Sequence, residues 1–191
     1  MSAYSTQNDL LMTNLLAFYD REDNLGTMLR VVAGETRVSL RIVDWFVTNY
    51  AKKYYTVYNI PADPNTASVS RRFKVYTDYK LKLKAYSKKR FDPFCRWDRI
   101  SIPYTAHSSV QTTIGQLNFF KWIIESNIIQ YIEDHYDEIE ADMNNRNSTS
   151  KKRDKYESVS GTKTRKKREE LSISATKTIK TENVEIVVSF S

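Results

Sequence analysis

The chain has 191 residues, of which 40% are hydrophobic and 13% aromatic, and it holds only four glycines and four prolines. This composition excludes a chain that is disordered overall and supports one domain with a real hydrophobic core. Thirty lysines and arginines against 23 acidic residues give a net charge of +7, which favours an anionic partner. The single cysteine, Cys95, excludes an internal disulfide and a multi-cysteine zinc site. It is expected to be a small buried hydrophobe in a reducing compartment.

The first sixty residues contain predicted helices and strands in alternation. Apolar residues at helical spacing predict a helix over 9–19. The β-rich segment 27–32 predicts a strand. Ser39 is the predicted N-cap of a helix that runs to about Lys53, and a strand at 54–58 follows it.

The stretch from 79 to 99, YKLKLKAYSKKRFDPFCRWDR, is the centre of the positive charge. Its basic residues outnumber two aspartates and are Lys80, Lys82, Lys84, Lys88, Lys89, Arg90, Arg96 and Arg99. The alternation at 80–84 predicts a strand with one basic face and one buried face. A helix over 79–90 is the alternative, and it would spread the three lysines around its axis.

A row of lysines on one face can follow a phosphate backbone and release condensed counterions, so this stretch predicts contact with nucleic acid. Two other interpretations stay open, namely an edge strand protected by solvated lysines and a surface for an acidic protein. Asp92-Pro93 predicts a tight turn that presents Phe91 and Phe94. These aromatic rings, with Tyr86 and Trp97, either stack on unpaired bases or belong to the core.

The most apolar helix is predicted after a short strand at 100–104. Thr113 followed by Gln116 predicts a capping box, and the run IGQLNFFKWII after it is apolar on nearly all sides. Ser126-Asn127 is predicted to break this helix. An apolar stripe that includes Ile128, Ile132 and Ile139 then continues on one face of a second helix.

The opposite face of that second helix is acidic, because residues 125–142 hold seven carboxylates and no lysine or arginine. A helix-turn-helix is excluded, since the second helix would carry these carboxylates into the phosphate-lined major groove. We expect a solvated face or one that pairs with the basic stretch. Docking of a basic protein is the third interpretation.

Residues 144–168 are polar and basic and predict a flexible linker. Two clusters in it are candidate nucleic-acid contacts, namely Lys151, Lys152 and Arg153, and Arg165, Lys166, Lys167 and Arg168. Alternating apolar residues then predict strands at 170–179 and 184–190 with a turn near Glu182-Asn183. The predicted organisation is an α+β core at 1–143, the linker at 144–168 and a hairpin at 169–191 that packs on the core.

No pattern in the chain predicts catalysis. His107 and His135 are interpreted as structural, and a Cys95–His107 pair lacks an oxyanion loop. Asp78-Tyr79-Lys80 has the form of half a metal nuclease site, with Asp63 as a second carboxylate, but a motif of three residues is very unspecific. The sequence therefore predicts no catalytic residue, no metal site and no cofactor.

Three long blocks stand out: SLRIVDWFVTNYAKKYY at 39–55, YKLKLKAYSKKRFDPFCRWDRI at 79–100 and TTIGQLNFFKWIIESNIIQYIEDHYDEIEADMN at 112–144. Together they resemble an uncharacterised protein family of the large nucleocytoplasmic DNA viruses, the giant viruses of algae and amoebae. The resemblance implies a virus-encoded protein of the viral factory in the host cytoplasm or of the virion. Basic clusters leave a nuclear location open. The resemblance implies no site residues.

The sequence thus predicts an α+β fold, a single domain with antiparallel strands, one buried helix and a C-terminal β-hairpin after a basic linker. The predicted function is non-enzymatic binding of DNA or RNA with low sequence specificity. The alternative is a virion structural or assembly protein that docks other viral proteins through its basic and acidic faces. No apolar run approaches the ~20 residues that cross a bilayer, so no membrane partner is expected. The oligomeric state is left open.

Overall fold

The computed structural model describes residues 7–21, 23–60, 70–105, 108–157 and 181–183. The α-helices in these ranges are α1 (Gln7–Tyr19), α2 (Asn24–Ala33), α3 (Leu40–Trp45), α4 (Ala51–Lys53), α5 (Val75–Arg90), α6 (Ile114–Glu125), α7 (Ile128–Asp134) and α8 (Tyr136–Glu157). The strands are β1 (Val57–Ile60), β2 (Arg71–Lys74), β3 (Arg99–Thr105), β4 (Ser108–Thr113) and β5 (Thr181–Asn183).

The strands form two small antiparallel sheets. One pairs β1 with β2, with Val57 opposite Lys74, and the other has the order β3-β4-β5. Helices and antiparallel strands share one domain, so the predicted α+β class is confirmed.

Helix α6 is the centre of the fold. The Thr113 hydroxyl caps it by accepting a hydrogen bond from the Gln116 amide nitrogen at 3.1 Å. Phe119 and Phe120 are both 0% exposed, and most of the helix is buried with them. Helices α1, α2, α5 and α7 all pack on it. The predictions of an N-cap at Thr113 and of a largely buried helix are confirmed. The reciprocal half of the predicted capping box is replaced, since Gln116 Oε1 accepts a hydrogen bond from the Thr112 hydroxyl.

The helix predicted from Ser39 to Lys53 is also present, with an irregular centre. The Ser39 hydroxyl accepts a hydrogen bond from the Ile42 amide nitrogen. A π-helical turn at Phe46–Tyr50 joins α3 to α4 and keeps several large side chains in the core. The strand that follows begins at Val57, later than predicted, because Tyr55 takes a left-handed conformation with φ 50°.

The break predicted at Ser126-Asn127 is confirmed. Helix α6 ends at Glu125, Asn127 adopts a left-handed conformation with φ 52°, and α7 begins at Ile128. The apolar stripe is confirmed as well, since Ile128, Ile132 and Ile139 are buried in the core. The ring of His135 stacks on that of Tyr131, with centroids 4.2 Å apart, in keeping with a structural role.

The strand predicted at 27–32 is wrong, because these residues lie in α2. Met28, Val31 and Val32 are three and four residues apart, so a helix buries all three on one face. Gly34 closes the helix at φ 75°, a left-handed conformation that glycine adopts without a steric penalty. Burial of this face outweighs the β propensity of the valines.

The linker predicted from residue 144 is corrected in its first half, because α8 continues to Glu157. The remainder, 158–168, lies outside the described residues. The turn predicted at Glu182-Asn183 is also wrong, since these residues belong to β5 and lie opposite Ser109 and Ser108. The strands predicted at 170–179 and 184–190 lie outside the described residues. In the part of the chain that is described, no helix has the length and apolar character needed to span a bilayer.

Candidate nucleic-acid interface

The basic stretch forms a helix and not the predicted strand. Lys80, Lys82 and Lys84 all lie in α5. Leucine, lysine and alanine are strong helix formers, and a helix places Tyr79, Leu83 and Tyr86 together against the core. Burial of that stripe decides against the strand that the short alternation suggested. The lysines are spread around the axis, as the helical alternative required.

The inner face of α5 is fastened to α6. Trp122 Nε1 donates a hydrogen bond to Asp78 Oδ2 at 2.6 Å. The ring of Tyr79 packs against those of Phe91 and Trp122, with centroid distances of 6.1 and 6.0 Å. Burial raises the pKa of Tyr79 to about 12. One oxygen of Asp78 thus accepts a hydrogen bond from the core, and Asp63, the second carboxylate of the half nuclease site, lies outside the described residues.

The end of α5 is fastened to the start of α6 by polar contacts. Asn118 Nδ2 donates to the carbonyl oxygen of Arg90 at 2.8 Å, and Gln116 Nε2 donates to that of Pro93 at 2.9 Å. Gly115 lies where the two backbones approach most closely, since a Cβ built on it would be 2.9 Å from the carbonyl oxygen of Lys89. Hydrogen bonds and close backbone packing thus fix the position of α5 against α6.

The outer face of α5 presents lysines without partners. Lys80 and Lys84 lie one turn apart and are exposed, and Lys82 is half-buried on the flank. Ser87 departs from helical geometry, with φ 60° and ψ 168°, so exposed Lys88 follows a kink. Among the described residues no carboxylate lies within ion-pair distance of these four lysines, nor of exposed Arg99 on β3. No carboxylate of the described residues therefore neutralises their positive charge.

The other predicted contacts in this stretch are engaged inside the protein. Lys89 Nζ lies 2.9 Å from an oxygen of Asp98, and Arg90 Nη1 donates to the Gln7 side chain at 3.0 Å. The guanidinium of Arg96 binds both carboxylate oxygens of Asp92, which is only 3% exposed, with Nε donating at 3.0 Å. Arg96 therefore neutralises a buried carboxylate, and its contact with nucleic acid stays a prediction.

Most of the interleaved aromatic residues belong to the core. Phe91 is buried against Phe119, with ring centroids 5.3 Å apart, so the turn at Asp92-Pro93 does not present it. Phe94 is half-buried beside the guanidinium of Arg96. Trp97 is the exception, at 44% exposure. Cys95 is buried, as predicted.

The structure describes the backbone of only one of the two C-terminal basic clusters. The backbone of Lys151, Lys152 and Arg153 lies in α8. Arg165, Lys166, Lys167 and Arg168 lie outside the described residues.

Sequence reasoning missed a group of cations next to α5. Arg71, Arg72 and Lys74 are exposed on β2, the strand that leads directly into the helix. Lys52, at the end of α4, approaches the ring of Tyr76, with Nζ 5.7 Å from its centroid. The alternation of exposed Arg72 and Lys74 with buried Phe73 is typical of a strand with one basic face. This pattern in the sequence could have revealed these cations.

The acidic face, by contrast, is engaged internally. Asp142 accepts hydrogen bonds from Trp45 Nε1 at 3.1 Å and from Lys53, and Asp137 pairs with Arg37. These partners lie on and beside α3 and α4, so the predicted pairing of the acidic face with the basic stretch is wrong. The described residues contain no group of three His, Cys, Asp or Glu side chains arranged to hold a metal ion.

Comparisons with known proteins place the chain in a family. No solved structure matches it. It is 43% identical over 134 residues to "Uncharacterized protein L507" of Acanthamoeba polyphaga mimivirus, an alignment that covers 68% of this chain and 49% of that protein. The chain thus spans about half the length of this relative. A model described as "Family of unknown function (DUF7197)" matches residues 3–190, nearly the whole chain, and the chain therefore belongs to the DUF7197 family.

Proposed function

We propose that this protein binds nucleic acid without catalysing a reaction, and that it contacts phosphates through the outer face of α5. The observation that carries the proposal is the set of exposed lysines Lys80, Lys84 and Lys88, for which the described residues supply no carboxylate partner. Counterions condensed on a nucleic acid are released when such lysines replace them. The exposed cations of β2 extend the same positive charge beyond the helix.

The expected sequence specificity is low. Lysine is a flexible point charge, whereas base readout in a groove relies on bidentate donors such as arginine or asparagine. The exposed face of α5 carries lysine, leucine, threonine and alanine and no such donor. The helix should therefore bind backbone phosphates in any sequence.

The setting of the function belongs to the same proposal. Similarity to a mimivirus protein supports a virus-encoded protein that acts at the viral factory in the host cytoplasm or in the virion. A role on viral nucleic acid in either place would use the same phosphate contacts. Fractionation of infected cells, with the protein detected beside viral nucleic acid, tests the location.

A charge-matched pair of variants tests the function. The double substitution Lys80→Gln and Lys84→Gln should weaken binding to unrelated sequences alike and flatten the plot of log K against log salt by up to about 2. The control, Arg21→Gln with Arg41→Gln, removes the same charge from exposed residues of other elements, which also have no ion-pair partner among the described residues. It should leave the slope unchanged.

Two outcomes would count against the proposal. Equal loss from the α5 variant and the control would mean that net charge alone drives the binding. Wild-type protein that binds no nucleic acid at low salt would favour the virion assembly alternative, in which the same lysines dock an acidic protein.

A further inference from the structure

A groove runs along the outer side of α5 and has no assigned role. It is largely open to solvent and has a volume of about 570 Å³. The residues that line it are Tyr76, Thr77, Lys80, Leu81, Leu83 and Lys84. They lie three and four residues apart, so successive turns of the helix contribute to one continuous surface.

The groove combines apolar and positively charged side chains. Leu81, which is 60% exposed, is the main apolar surface of the floor, and half-buried Tyr76 and Leu83, which also pack on the core, border it. Lys80 and Lys84 lie at the same groove, with Lys52 beside the Tyr76 ring. None of the lining residues that the structure describes is acidic. A matching ligand needs a flat apolar part and a negative charge close to it.

We propose that this groove receives an unpaired base of single-stranded nucleic acid, with the flanking phosphates on Lys80 and Lys84. The inference rests on the proposed function and names its substrate class. A base offers a π-face for the Tyr76 ring and an apolar surface for Leu81, and its phosphates lie within the same nucleotide. Unpaired bases are splayed from the backbone and can enter such a site.

A duplex cannot use the groove in this way. Its bases are stacked inside the helix, so it presents phosphates and sugars to α5 and leaves the apolar floor uncovered. The lysines should therefore bind both forms, while the floor should favour the single strand. This difference separates the groove from a plain electrostatic surface.

Fluorescence anisotropy with one labelled strand, alone and annealed to its complement, tests the proposal at a fixed salt concentration. Wild-type protein should prefer the single strand. Tyr76→Leu keeps an apolar side chain but removes the ring, and it should lower single-strand affinity about fivefold or more, which corresponds to a stacking contribution of about 1 kcal/mol or above. Its duplex affinity and its salt slope should stay unchanged.

Three further variants test the interpretation. Leu81→Ser alters an exposed residue and should lower single-strand affinity with no loss of thermal stability. Tyr104→Leu replaces a tyrosine on β3 that is 47% exposed and should have no effect on either ligand. Lys80→Gln should lower the affinity for both ligands and flatten both plots of log K against log salt.

The results separate this inference from the proposed function. Equal affinity for both forms, with Tyr76→Leu silent and Lys80→Gln effective, would overturn the base-binding groove and leave phosphate binding intact. A polyglutamate chain that competes fully with the single strand, and does so less well against Tyr76→Leu, would overturn it in favour of an acidic peptide. Absence of all nucleic-acid binding would overturn both.

Discussion

The basic face of α5 and the acidic face of α7 and α8 carry opposite charges and differ in their contacts within the protein. Six of the seven carboxylates between 125 and 142 contact another described side chain. The contacts of Asp137 and Asp142 join α8 to the segment 37–54, far away in sequence. The contacts of Glu125, Asp134 and Glu140 are local, since each partner lies four residues away in sequence. Five of the seven carboxylates are exposed, in keeping with the solvated face that the sequence predicted first, while Asp137 and Asp142 also bind segments distant in sequence.

The basic face of α5 shows the opposite pattern of contacts. Lys80, Lys84 and Lys88 contact no carboxylate in the described part of the chain, while the helix beneath them is fixed by Asp78, Trp122 and Asn118. Charged side chains that pair within the fold stabilise the structure. Charged side chains on a well-packed helix that have no partner among the described residues can bind a ligand. The acidic helices thus use several carboxylates in contacts within the fold, whereas α5 carries the exposed lysines for which we propose a role in binding.

Removal of the aromatic support under α5 should have the largest effect. Phe119 is 0% exposed and packs against Phe91 and Trp122. Phe119→Ala should lower the free energy of unfolding by about 3–5 kcal/mol, because it removes a large buried side chain and leaves a cavity. Urea denaturation measures the loss. Leu81→Ala, on the exposed face of α5, is the control and should change stability by less than about 0.5 kcal/mol; a similar loss from both variants would contradict the division into supporting and exposed faces.

The contact between α5 and α6 gives a prediction of clear sign. Gly115 lies in the first turn of α6, where helix propensity alone would make Gly115→Ala stabilising. The new Cβ would meet the carbonyl oxygen of Lys89 at 2.9 Å, and backbone atoms cannot easily move aside. We expect a loss of about 1–3 kcal/mol in thermal or chemical denaturation. A gain in stability would mean that the approach of the two helices is looser than the structure shows.

The acidic face can be tested through pH. Burial alone would raise the pKa of Asp142, but hydrogen bonds from Lys53 and Trp45 outweigh it and hold the pKa below its usual value. A carboxyl group whose pKa is lowered by folding stabilises the protein above its unfolded pKa of about 3.9, and this contribution is lost as the pH falls through the lower folded value. Asp142→Asn should cost about 1–2 kcal/mol at pH 7, mainly through the weakened bond to Trp45.

The same variant should show a smaller loss of stability than the wild type between pH 5 and pH 3, measured by denaturation at each pH. Glu133→Gln is the matched control, since Glu133 is exposed and has no contact among the described residues. Identical acid sensitivity of wild type and Asp142→Asn would show that Asp142 does not hold α8 in place.

The smallest effect is expected at the kink of α5. Ser87 occupies φ 60° and ψ 168°, a region that is nearly restricted to glycine. Ser87→Gly should stabilise the protein by about 0.5–1 kcal/mol, as relief of strain exceeds the added flexibility of the unfolded chain. Ser87→Ala keeps the strain and should bring no gain. Stabilisation by alanine and not by glycine would indicate that the helix is straight and that Lys88 follows the line of Lys80 and Lys84.

Local signals in the sequence determined a good part of this protein. The caps at Ser39 and Thr113, the break at Asn127 and the burial of α6 were all predicted, because each depends on residues within one or two turns of one another. The α+β class followed from the same signals. Composition and net charge predict an anionic partner, which stays a prediction.

Tertiary contacts decided the rest. The alternation of Lys80, Lys82 and Lys84 favoured a strand over a few residues, but packing of Tyr79 and Tyr86 against α6 made the segment helical. Which charges stay free was also beyond the sequence, since Lys53 and Asp142 are 89 residues apart. Propensity and capping act over neighbouring residues, whereas burial and ion pairing depend on which distant segments meet, and only the folded chain brings those segments together.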